Sequence, residues 1–548
     1  MGRAGKITKH QETMELAMAH YPHFRRYIDE FIKHAPTPKY FTKLEYSMKG
    51  EEYTNLIYPV GEPLFVHIYK PEGEPTKYIV IEPQMDEETK KVNDTILDRM
   101  VEIAHRLPVP DKTEDITPVL VKILNEVVII GTYQSGNILK ARMSNKVLLN
   151  QEQYDIVKYY LLRNRVGYSK LEPLFNDPYI EDIHCVGIGN IKLVHKIFEM
   201  LRCNLEFPED IGLNKYILET SERVERPVSD SHPVVDAVMP DGSRVNFIYG
   251  REISREGSSF TVRKFSEVPI SIIEIINFET MSADIAAYLW LCLENGMNIF
   301  VCGETASGKT TTLNASAAFI KPDAKIYTVE NTAEVTMPHD TWQHLVTRES
   351  GKDTDVDMFT LLIAALRSRP NYIIVGEIRG VEGNVAFQAM QTGHPVMSTF
   401  HAGSVHSMVQ RLTGHPIDVP IAFIDNLNVV LIQQAVGVGD RFVRRIISVS
   451  EIERYYDVEN KVISRRVFNW DPYKDEHRFS GYYNSFILEK KIAPKIGMAD
   501  SKEIYVELER RAKILRKMHE LHIFNYYEVY KVIKTFYTEG VQALPFEV

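Results

Sequence analysis

The chain has 548 residues, with 64 Lys and Arg against 74 Asp and Glu, which gives a formal net charge of −10. This length exceeds one ordinary domain and predicts about three. The excess of acidic residues argues against a protein that coats nucleic acid, because proteins of that class carry an excess of basic residues. The four cysteines include no C-x-x-C pair, which excludes a disulfide scaffold and argues against a structural zinc site.

Membrane insertion is not expected either. No segment of the chain reaches the roughly 18 consecutive apolar residues that span a bilayer, and the N-terminal stretch lacks the apolar core of a secretory signal. The sequence therefore predicts a soluble protein that would reach a membrane only through a partner or an interfacial helix.

Residues 1–165 are predicted to form an α-rich N-terminal domain with a small hairpin. The hairpin is predicted from two apolar runs, 64–69 and 78–82, separated by the turn-rich KPEGEPT. Helices are predicted over 86–106, 117–131 and 154–165. One face of a helix over 24–32 carries five apolar residues at helical spacing: Phe24, Tyr27, Ile28, Phe31 and Ile32. This face predicts either packing on its own domain or docking at a membrane surface or partner.

Residues 166–269 alternate short apolar runs with turns, and they predict a compact α+β subdomain of PAS-like type with several antiparallel strands. Its C-terminal part is rich in basic residues: Arg244, Arg251, Arg255, Arg263 and Lys264. A run of charges is usually a solvated face, so these residues need a second argument before they receive a function.

Residues 270–548 alternate helices with buried strands, which predicts an α/β fold with a mainly parallel sheet and helices on both faces. The predicted strands are Asn298–Cys302, Lys325–Val329, Tyr372–Val375, Val396–Phe400 and Val429–Gln433. The charged tail over about 502–537 has apolar residues at helical spacing and predicts an amphipathic helix.

The strongest chemical signal is the sequence GETASGKTT, between the strand NIFVC and a helix. It matches the phosphate-binding motif G-x-x-x-x-G-K-[ST] in the correct context. The glycines let the backbone curl so that successive N–H groups point at phosphate oxygens, and the lysine can reach the β- and γ-phosphates. The predicted nucleotide ligands are Gly303, Glu304, Thr305, Ala306, Ser307, Gly308, Lys309, Thr310 and Thr311, and the Thr310 hydroxyl is also a predicted Mg²⁺ ligand.

Three further motifs place polar residues at predicted strand ends. Glu377 ends the strand in NYIIVGE and is predicted to support the metal, through water. Glu330 ends the strand IYTV and is favoured as the base that activates water, with Glu334 as the alternative. His401, in the segment TGHPVMSTFHA, is either a sensor of the γ-phosphate, together with Thr399, or a satisfied core histidine.

The phosphate-binding motif and the segments VENTAE, VGEIRG and TGHPVMSTFHA, in this order, resemble the secretion ATPase superfamily of type II secretion, type IV pilus and type IV secretion motors. The stretches GETASGKTTTLNA and FNWDPYKDEHRFSGYYNS are most similar to its archaeal members, the archaellum motor and assembly ATPases. The chain departs from the common pattern at Asn331, where an acid is usual, and this leaves Glu330 as the catalytic acid that the resemblance implies.

The resemblance implies a RecA-like P-loop domain preceded by an N-terminal domain, assembled as a homohexamer that hydrolyses ATP with Mg²⁺. It implies a cytoplasmic protein peripheral to the inner face of the membrane. Its implied partners are a polytopic platform membrane protein and accessory cytoplasmic motor proteins, and no nucleic acid is expected. Ring ATPases need an arginine aimed at the transferred phosphoryl group, and the candidates are Arg244 first, then Arg263 and Arg251, each of which could equally form a structural ion pair.

Competing functions remain open from the sequence. Within the family, the chain could instead power type IV pilus assembly or type II or type IV secretion. Outside it, a DNA-translocating ring ATPase and a nucleotide-gated scaffold without turnover share the same core motifs. The segment Pro269–Ser271 is a predicted hinge, because proline fixes φ while its neighbours rotate.

Overall fold

The fold is described from a computed structural model, which describes residues 9–44, 48, 54–104, 116–134, 136–137, 141, 143–265, 268–348, 355–438, 441–459 and 461–548. The chain divides into two compact units, Met1–Ser266 and Glu267–Val548. The predicted hinge lies at the start of the second unit, where Ser271 caps the helix Ile272–Asn277 by accepting the Glu274 N–H. Its function as a hinge remains a prediction.

The first unit is built on one large sheet. Its strands are β1 (Lys39–Tyr40), β2 (Asn55–Pro59), β3 (Phe65–Tyr69), β4 (Lys77–Ile81), β7 (Ile180–Val186), β8 (Gly189–His195), β9 (Glu199–Phe207), β10 (Val234–Val238), β11 (Arg244–Ile248) and β12 (Ser259–Arg263), and β5 (Val128–Ile130) and β6 (Val147–Leu149) form a separate pair. The ten-stranded order is β1-β2-β3-β4-β9-β8-β7-β12-β11-β10. Because β4 pairs with β9, strands from both predicted N-terminal segments share this sheet.

Seven helices are described in the first unit: Lys9–His20, Pro22–Phe31, Glu87–Ala104, Ile116–Val127, Gln151–Arg165, Glu172–Asn176 and Asp210–Arg223. The predicted hairpin is confirmed as the antiparallel pair β3–β4. The predicted helix over 117–131 is too long, because residues 128–130 leave it to pair with β6. Residues 105–106 of the helix predicted over 86–106 lie outside the described residues.

The apolar face of the helix Pro22–Phe31 packs on its own unit. Phe24 and Ile28 are buried, and the Phe24 ring stacks on Phe65 of β3 with centroids 4.1 Å apart. The Tyr27 hydroxyl lies 2.7 Å from Nδ1 of His67 on the same strand. Of the two alternatives that the sequence left open, internal packing therefore accounts for the buried part of this face.

The second unit is built on a nine-stranded sheet. Its strands are β13 (Ile299–Gly303), β14 (Ile326–Glu330), β15 (Trp342–Val346), β16 (Tyr372–Glu377), β17 (Val396–Phe400), β18 (Val429–Val438), β19 (Arg441–Tyr456), β20 (Lys461–Asp471) and β21 (Glu476–Phe479). Their order is β15-β14-β16-β17-β13-β18-β19-β20-β21. The strands from β15 to β18 are parallel, and β19, β20 and β21 add an antiparallel meander. The five predicted strands are confirmed.

Helices cover this sheet: Ile272–Asn277, Ala283–Glu294, Lys309–Ala317, Met358–Arg367, Glu382–Gln391, Val405–Thr413, Ala493–Lys495, Ile504–Glu520 and Tyr526–Glu539, with a π-helix over Ile487–Ile492. The tail predicted as one amphipathic helix is two. The first ends near His522, whose φ of 55° is left-handed. The second begins with Asn525, whose side chain accepts the N–H groups of Tyr527 and Glu528.

Two features are absent from the described residues. No helix among them is long and apolar enough to cross a bilayer. No group of three or more His, Cys, Asp and Glu side chains in that part of the chain is placed to hold a metal ion. All four cysteines are buried and unbridged.

Candidate nucleotide-binding site

The loop that joins β13 to the helix Lys309–Ala317 has a tightly curled backbone. Gly308 is the N-cap residue of that helix and has a φ of 90°, in the left-handed region that glycine adopts without penalty. Ala306 is also left-handed, with a φ of 61°, which is uncommon for a residue that carries a Cβ. A curled backbone of this kind at a helix N-terminus can bind an anion through its N–H groups.

The two motif glycines also make room for Gln433 of β18, the parallel neighbour of β13. Gly303 and Gln433 are partners in the register of the two strands. A Cβ on Gly303 would lie 2.3 Å from the Gln433 carbonyl oxygen, and a Cβ on Gly308 would lie 2.9 Å from Gln433 Nε2. Real Cβ atoms do not approach so closely, so a side chain at either position would displace Gln433 or the loop.

Lys309, the first residue of the helix, reaches back across the loop. Its Nζ donates a hydrogen bond of 2.9 Å to the Glu304 carbonyl oxygen. Burial lowers the pKa of the Lys309 ammonium below its ordinary value, whereas the carboxylates of Glu377 and, more weakly, Glu334 act in the opposite direction. Both carboxylates therefore lie within electrostatic range of Lys309.

Glu330, at the end of β14, is buried at 2% exposure, and both of its carboxylate oxygens have partners. Oε1 accepts the backbone N–H groups of Glu334 and Val335, each at 3.0 Å. Oε2 lies 2.8 Å from Nε2 of His344 on β15. The Glu330 side chain thus fixes the loop that follows β14, including the backbone of Glu334.

Glu377 ends β16, where a bulge shifts the register so that it pairs with Thr399 of β17. Its carboxylate accepts a hydrogen bond of 2.9 Å from Nε of Arg379. The Thr399 hydroxyl donates to the Gly376 carbonyl oxygen at 2.6 Å. The proposed sensor Thr399 is therefore bonded to the residue that precedes Glu377.

His401 follows β17, and its carbonyl oxygen accepts a hydrogen bond from the guanidinium of Arg411. The same guanidinium lies over the Phe400 ring, 5.3 Å from the centroid. The helix Val405–Thr413, which carries Arg411, thus fixes the backbone at His401. The function of the imidazole as a sensor remains a prediction.

The four motifs meet at one edge of the sheet. β13, β14, β16 and β17 are parallel, so their carboxyl ends lie on the same side, with β17 between β13 and β16. This edge is where ligands bind in open α/β sheets. The structure therefore brings together the phosphate-loop motif, Glu330, Glu377 and His401.

Two buried polar atoms beside the loop have no hydrogen-bond partner in the part of the chain that the structure describes. They are the Thr312 hydroxyl, in the first turns of the helix, and Oε1 of Gln433. An orphaned buried polar atom is costly unless a ligand or water satisfies it. Together with the Thr310 hydroxyl and the Glu377 carboxylate, which are the oxygen ligands that Mg²⁺ prefers, these groups fit a bound nucleotide and its metal.

The three arginines predicted from the sequence all lie in the first unit. Nε and Nη2 of Arg251 both donate to Oδ2 of Asp210, at 3.0 and 2.7 Å. Arg263 lies 3.5 Å from Asp182, and it is the direct cross-strand partner of Arg244. Their predicted catalytic functions stay predictions.

Sequence reasoning missed two residues that line the loop. Gln433 is the polar end of an otherwise apolar predicted strand, and that position was the only signal for it. Arg444 lies on β19, in the antiparallel meander that the sequence did not predict, and its Nε donates to the Ala306 carbonyl oxygen at 3.2 Å.

The strand order β14-β16-β17-β13-β18, with the glycine loop after central strand β13, defines a RecA-like P-loop domain. Residues 171–465 match the family model described as Type II/IV secretion system protein. This match spans more than half of the chain, so the chain belongs to the type II/IV secretion system protein family.

Several known proteins are similar to this chain. A protein of Methanocaldococcus jannaschii described only as uncharacterized is 48% identical over 549 residues, which cover 99% of this chain and 100% of that protein. The type IV secretion system protein VirB11 of Bartonella quintana is 24% identical, over 50% of this chain and 83% of that protein. Among solved structures, the pilus retraction motor PilT with bound ADP is 22% identical, over 51% of this chain and 81% of that chain, with a TM-score of 0.38.

Proposed function

We propose that the protein is a Mg²⁺-dependent ATPase that binds ATP on the loop Gly303–Thr311. The observation that carries the proposal is the curled backbone ahead of Lys309, with Ala306 and Gly308 both left-handed. Membership of the secretion family supports the same conclusion. The loop amides and the helix N-terminus bind the phosphates, and the Lys309 ammonium balances the charge of the β- and γ-phosphates.

Thr310 and Glu377 hold the metal in this proposal, Thr310 through its hydroxyl and Glu377 through water. Mg²⁺, when bound, neutralises charge on the phosphate oxygens and fixes their orientation. The electrostatic effect of Glu377 on Lys309 supports this assignment, because it requires the carboxylate to lie near the ammonium that would balance the phosphate charge.

Glu334 is the water-activating base in this proposal, although the sequence favours Glu330. Both oxygens of Glu330 are committed to backbone N–H groups and to His344. Glu334 instead acts electrostatically on Lys309 and follows the segment that Glu330 fixes. Glu330 would therefore position the base, and Glu334 would accept the proton of the attacking water.

In this proposal an arginine, supplied by the same subunit or by a neighbour, stabilises the charge of the transferred phosphoryl group. Of the three candidates, Arg251 has the weakest support, because two of its guanidinium nitrogens already donate to Oδ2 of Asp210. Arg244 and Arg263 remain the preferred pair, and His401 with Thr399 would report loss of the γ-phosphate.

The biological function that we propose is a homohexameric motor that powers assembly or rotation of an archaellum. It would work at the inner face of the cell membrane, through a polytopic platform membrane protein and accessory cytoplasmic motor proteins. The support is family membership and the resemblance of the GETASGKTTTLNA segment to archaeal members. Assembly of a type IV pilus or a type II or type IV secretion system is the alternative. Deleting the gene in its host and imaging the cells tests this, because loss of archaella with pili intact favours the motor.

The activity is tested by phosphate release from Mg²⁺-ATP with the full chain and the variant Lys309→Ala. Removing one preorganised charge donor from a reacting centre costs roughly 10²–10³ in rate, so we expect a loss of that order. Lys321→Ala, an exposed lysine beyond the same helix, is the matched control and should keep the wild-type rate. A Lys309→Ala protein with normal turnover would contradict the assignment of the site.

A further inference from the structure

The antiparallel pair β18–β19 extends past the edge of the parallel sheet beside the phosphate loop. The register of β13 with β18 ends at Gly303 and Gln433. β18 continues to Val438, and β19 returns from Arg441 along it. We call residues 433–438 and 441–446 the hairpin arm.

Two side chains of the hairpin arm lie against the loop. Gln433 pairs with Ile446, and Ala435 pairs with Arg444, so Gln433 and Arg444 project from the same face, since side chains alternate along a strand. A Cβ on Gly308 would lie 2.9 Å from Gln433 Nε2 and 3.1 Å from Cδ of Arg444. The aliphatic stem of Arg444 thus packs beside the helix N-terminus.

The guanidinium of Arg444 donates a hydrogen bond to Ala306, the loop residue with the unfavourable backbone conformation. Its Nε donates to the carbonyl oxygen of Ala306 at 3.2 Å. Within the loop, Ala306 has a left-handed backbone although it is not a glycine. Such a backbone persists only where the surrounding structure holds it. The Ala306 carbonyl and the Ser307 N–H belong to one planar peptide group, so a bond to the first fixes the orientation of the second.

The other end of the same peptide group is also held. The Ser307 N–H donates to the Glu304 carbonyl oxygen at 3.3 Å, and the same oxygen accepts the Ser307 hydroxyl at 2.8 Å. This second restraint comes from within the loop, whereas Arg444 supplies the restraint from outside it. Arg444 thus anchors the loop to a strand that lies outside the phosphate-binding motif.

We propose that Arg444 is a positioning residue for the phosphate loop. By holding the Ala306 carbonyl, it keeps the loop curled before nucleotide arrives and so reduces the ordering that binding would otherwise require. The proposal rests on the proposed nucleotide site, and it adds the hairpin arm as the element that preorganises that site.

The test measures the Kd of Mg²⁺-ADP by titration calorimetry with the full chain. Hydrogen-bonded neighbours couple strongly enough that we expect Arg444→Ala to raise the Kd roughly fivefold to fiftyfold, with the melting temperature unchanged. Arg454→Ala is the matched control, because Arg454 is an exposed arginine on the same strand whose guanidinium lies over the Tyr456 ring instead. It should leave the Kd within about twofold of the wild type, as surface substitutions do.

The variant Ala306→Gly makes the test specific for positioning. Glycine adopts the left-handed backbone freely, so Arg444→Ala should cost less affinity in the Ala306→Gly background than in the wild type. The proposal would be overturned if Arg444→Ala lowered the affinity equally in both backgrounds and lowered it more for ATP than for ADP. Arg444 would then contact phosphate directly. An unchanged Kd in Arg444→Ala would overturn it as well.

Hydrogen exchange without nucleotide gives a second readout. We expect the amides of residues 304–308 to exchange faster in Arg444→Ala but not in Arg454→Ala, and equal protection in the two variants would contradict positioning. If the wild-type protein failed to bind ADP but the exchange difference were present, the proposed function would be refuted. The contact of Arg444 with the loop would still stand.

Discussion

Gly303 and Gln433 face each other across the parallel register of β13 and β18, and the carbonyl oxygen of Gln433 occupies the space that a side chain on Gly303 would need. The first glycine of the phosphate-loop motif is therefore required by packing against the neighbouring strand. Neighbouring strand and loop form one tightly packed unit.

Substitution Gly303→Ala tests this relationship. Its Cβ would lie 2.3 Å from a backbone oxygen and 2.5 Å from Ser307 Oγ, and overpacking of this kind costs about 1–3 kcal/mol. Gly437→Ala is the matched control on β18, because a Cβ there meets nothing within 4 Å, and it should change stability by less than about 0.5 kcal/mol. Urea unfolding followed by tryptophan fluorescence measures both, since all three tryptophans, Trp290, Trp342 and Trp470, lie in the second unit. Equal stability of the two variants would contradict the packing.

The paired variants Glu330→Ala and Glu334→Ala separate positioning from catalysis. Glu330→Ala leaves the N–H groups of Glu334 and Val335 without their carboxylate partner, so we expect the second unit to lose about 1–3 kcal/mol of stability. Glu334→Ala should keep stability and ADP affinity but lose turnover by roughly 10²–10⁴, the contribution of a general base. If Glu334→Ala kept normal turnover, and Glu330→Ala were stable but inactive, Glu330 would be the general base instead.

We expect His477 to make the second unit sensitive to acid. Burial lowers its pKa to about 4 from the ordinary 6.5, and its Nε2 donates to the Ile446 carbonyl oxygen at 3.0 Å. The unfolded chain gains a proton near pH 6.5 while the folded chain does so only near pH 4, so stability present above pH 6.5 is lost as the pH falls between these values. His477→Gln keeps a donor for Ile446 but cannot titrate. We expect the loss of unfolding free energy between pH 7 and pH 5 to shrink by about 1–2 kcal/mol, and an identical loss in variant and wild type would contradict this.

Arg445 and Arg444 are adjacent in β19 but have different predicted effects. Arg445 is 3% exposed and makes a bidentate ion pair with Asp475, with two contacts of 2.7 Å. Arg445→Ala would leave the partly buried Asp475 carboxylate without its ion-pair partner, so we expect the unfolding free energy, measured with urea, to fall by about 3–5 kcal/mol. Arg444→Ala should leave the unfolding free energy within about 0.5 kcal/mol. If Arg444→Ala were instead the less stable of the two variants, the assignment of Arg444 to the face of β19 that contacts the loop would be wrong.

The sequence predicts the parallel sheet and the edge where its motifs meet, because buried strands and terminal polar residues are local signals. It does not predict the antiparallel meander β19–β21, since these long strands alternate charged and apolar residues without a clear boundary. Arg444 was missed for that reason. The choice between Glu330 and Glu334 depends on the three-dimensional structure, because the sequence shows only that Glu330 ends β14 and that Glu334 follows it. The burial and the hydrogen bonds of the Glu330 carboxylate become visible only in the fold.

The central claim is that the loop Gly303–Thr311 binds the triphosphate of ATP beside Lys309. A structure of the assembled protein with Mg²⁺ and a non-hydrolysable ATP analogue tests it most directly. The account predicts β- and γ-phosphate density within hydrogen-bond distance of the loop amides and Lys309, with the metal beside Thr310. An ordered nucleotide bound elsewhere, with this loop free of phosphate, would contradict it.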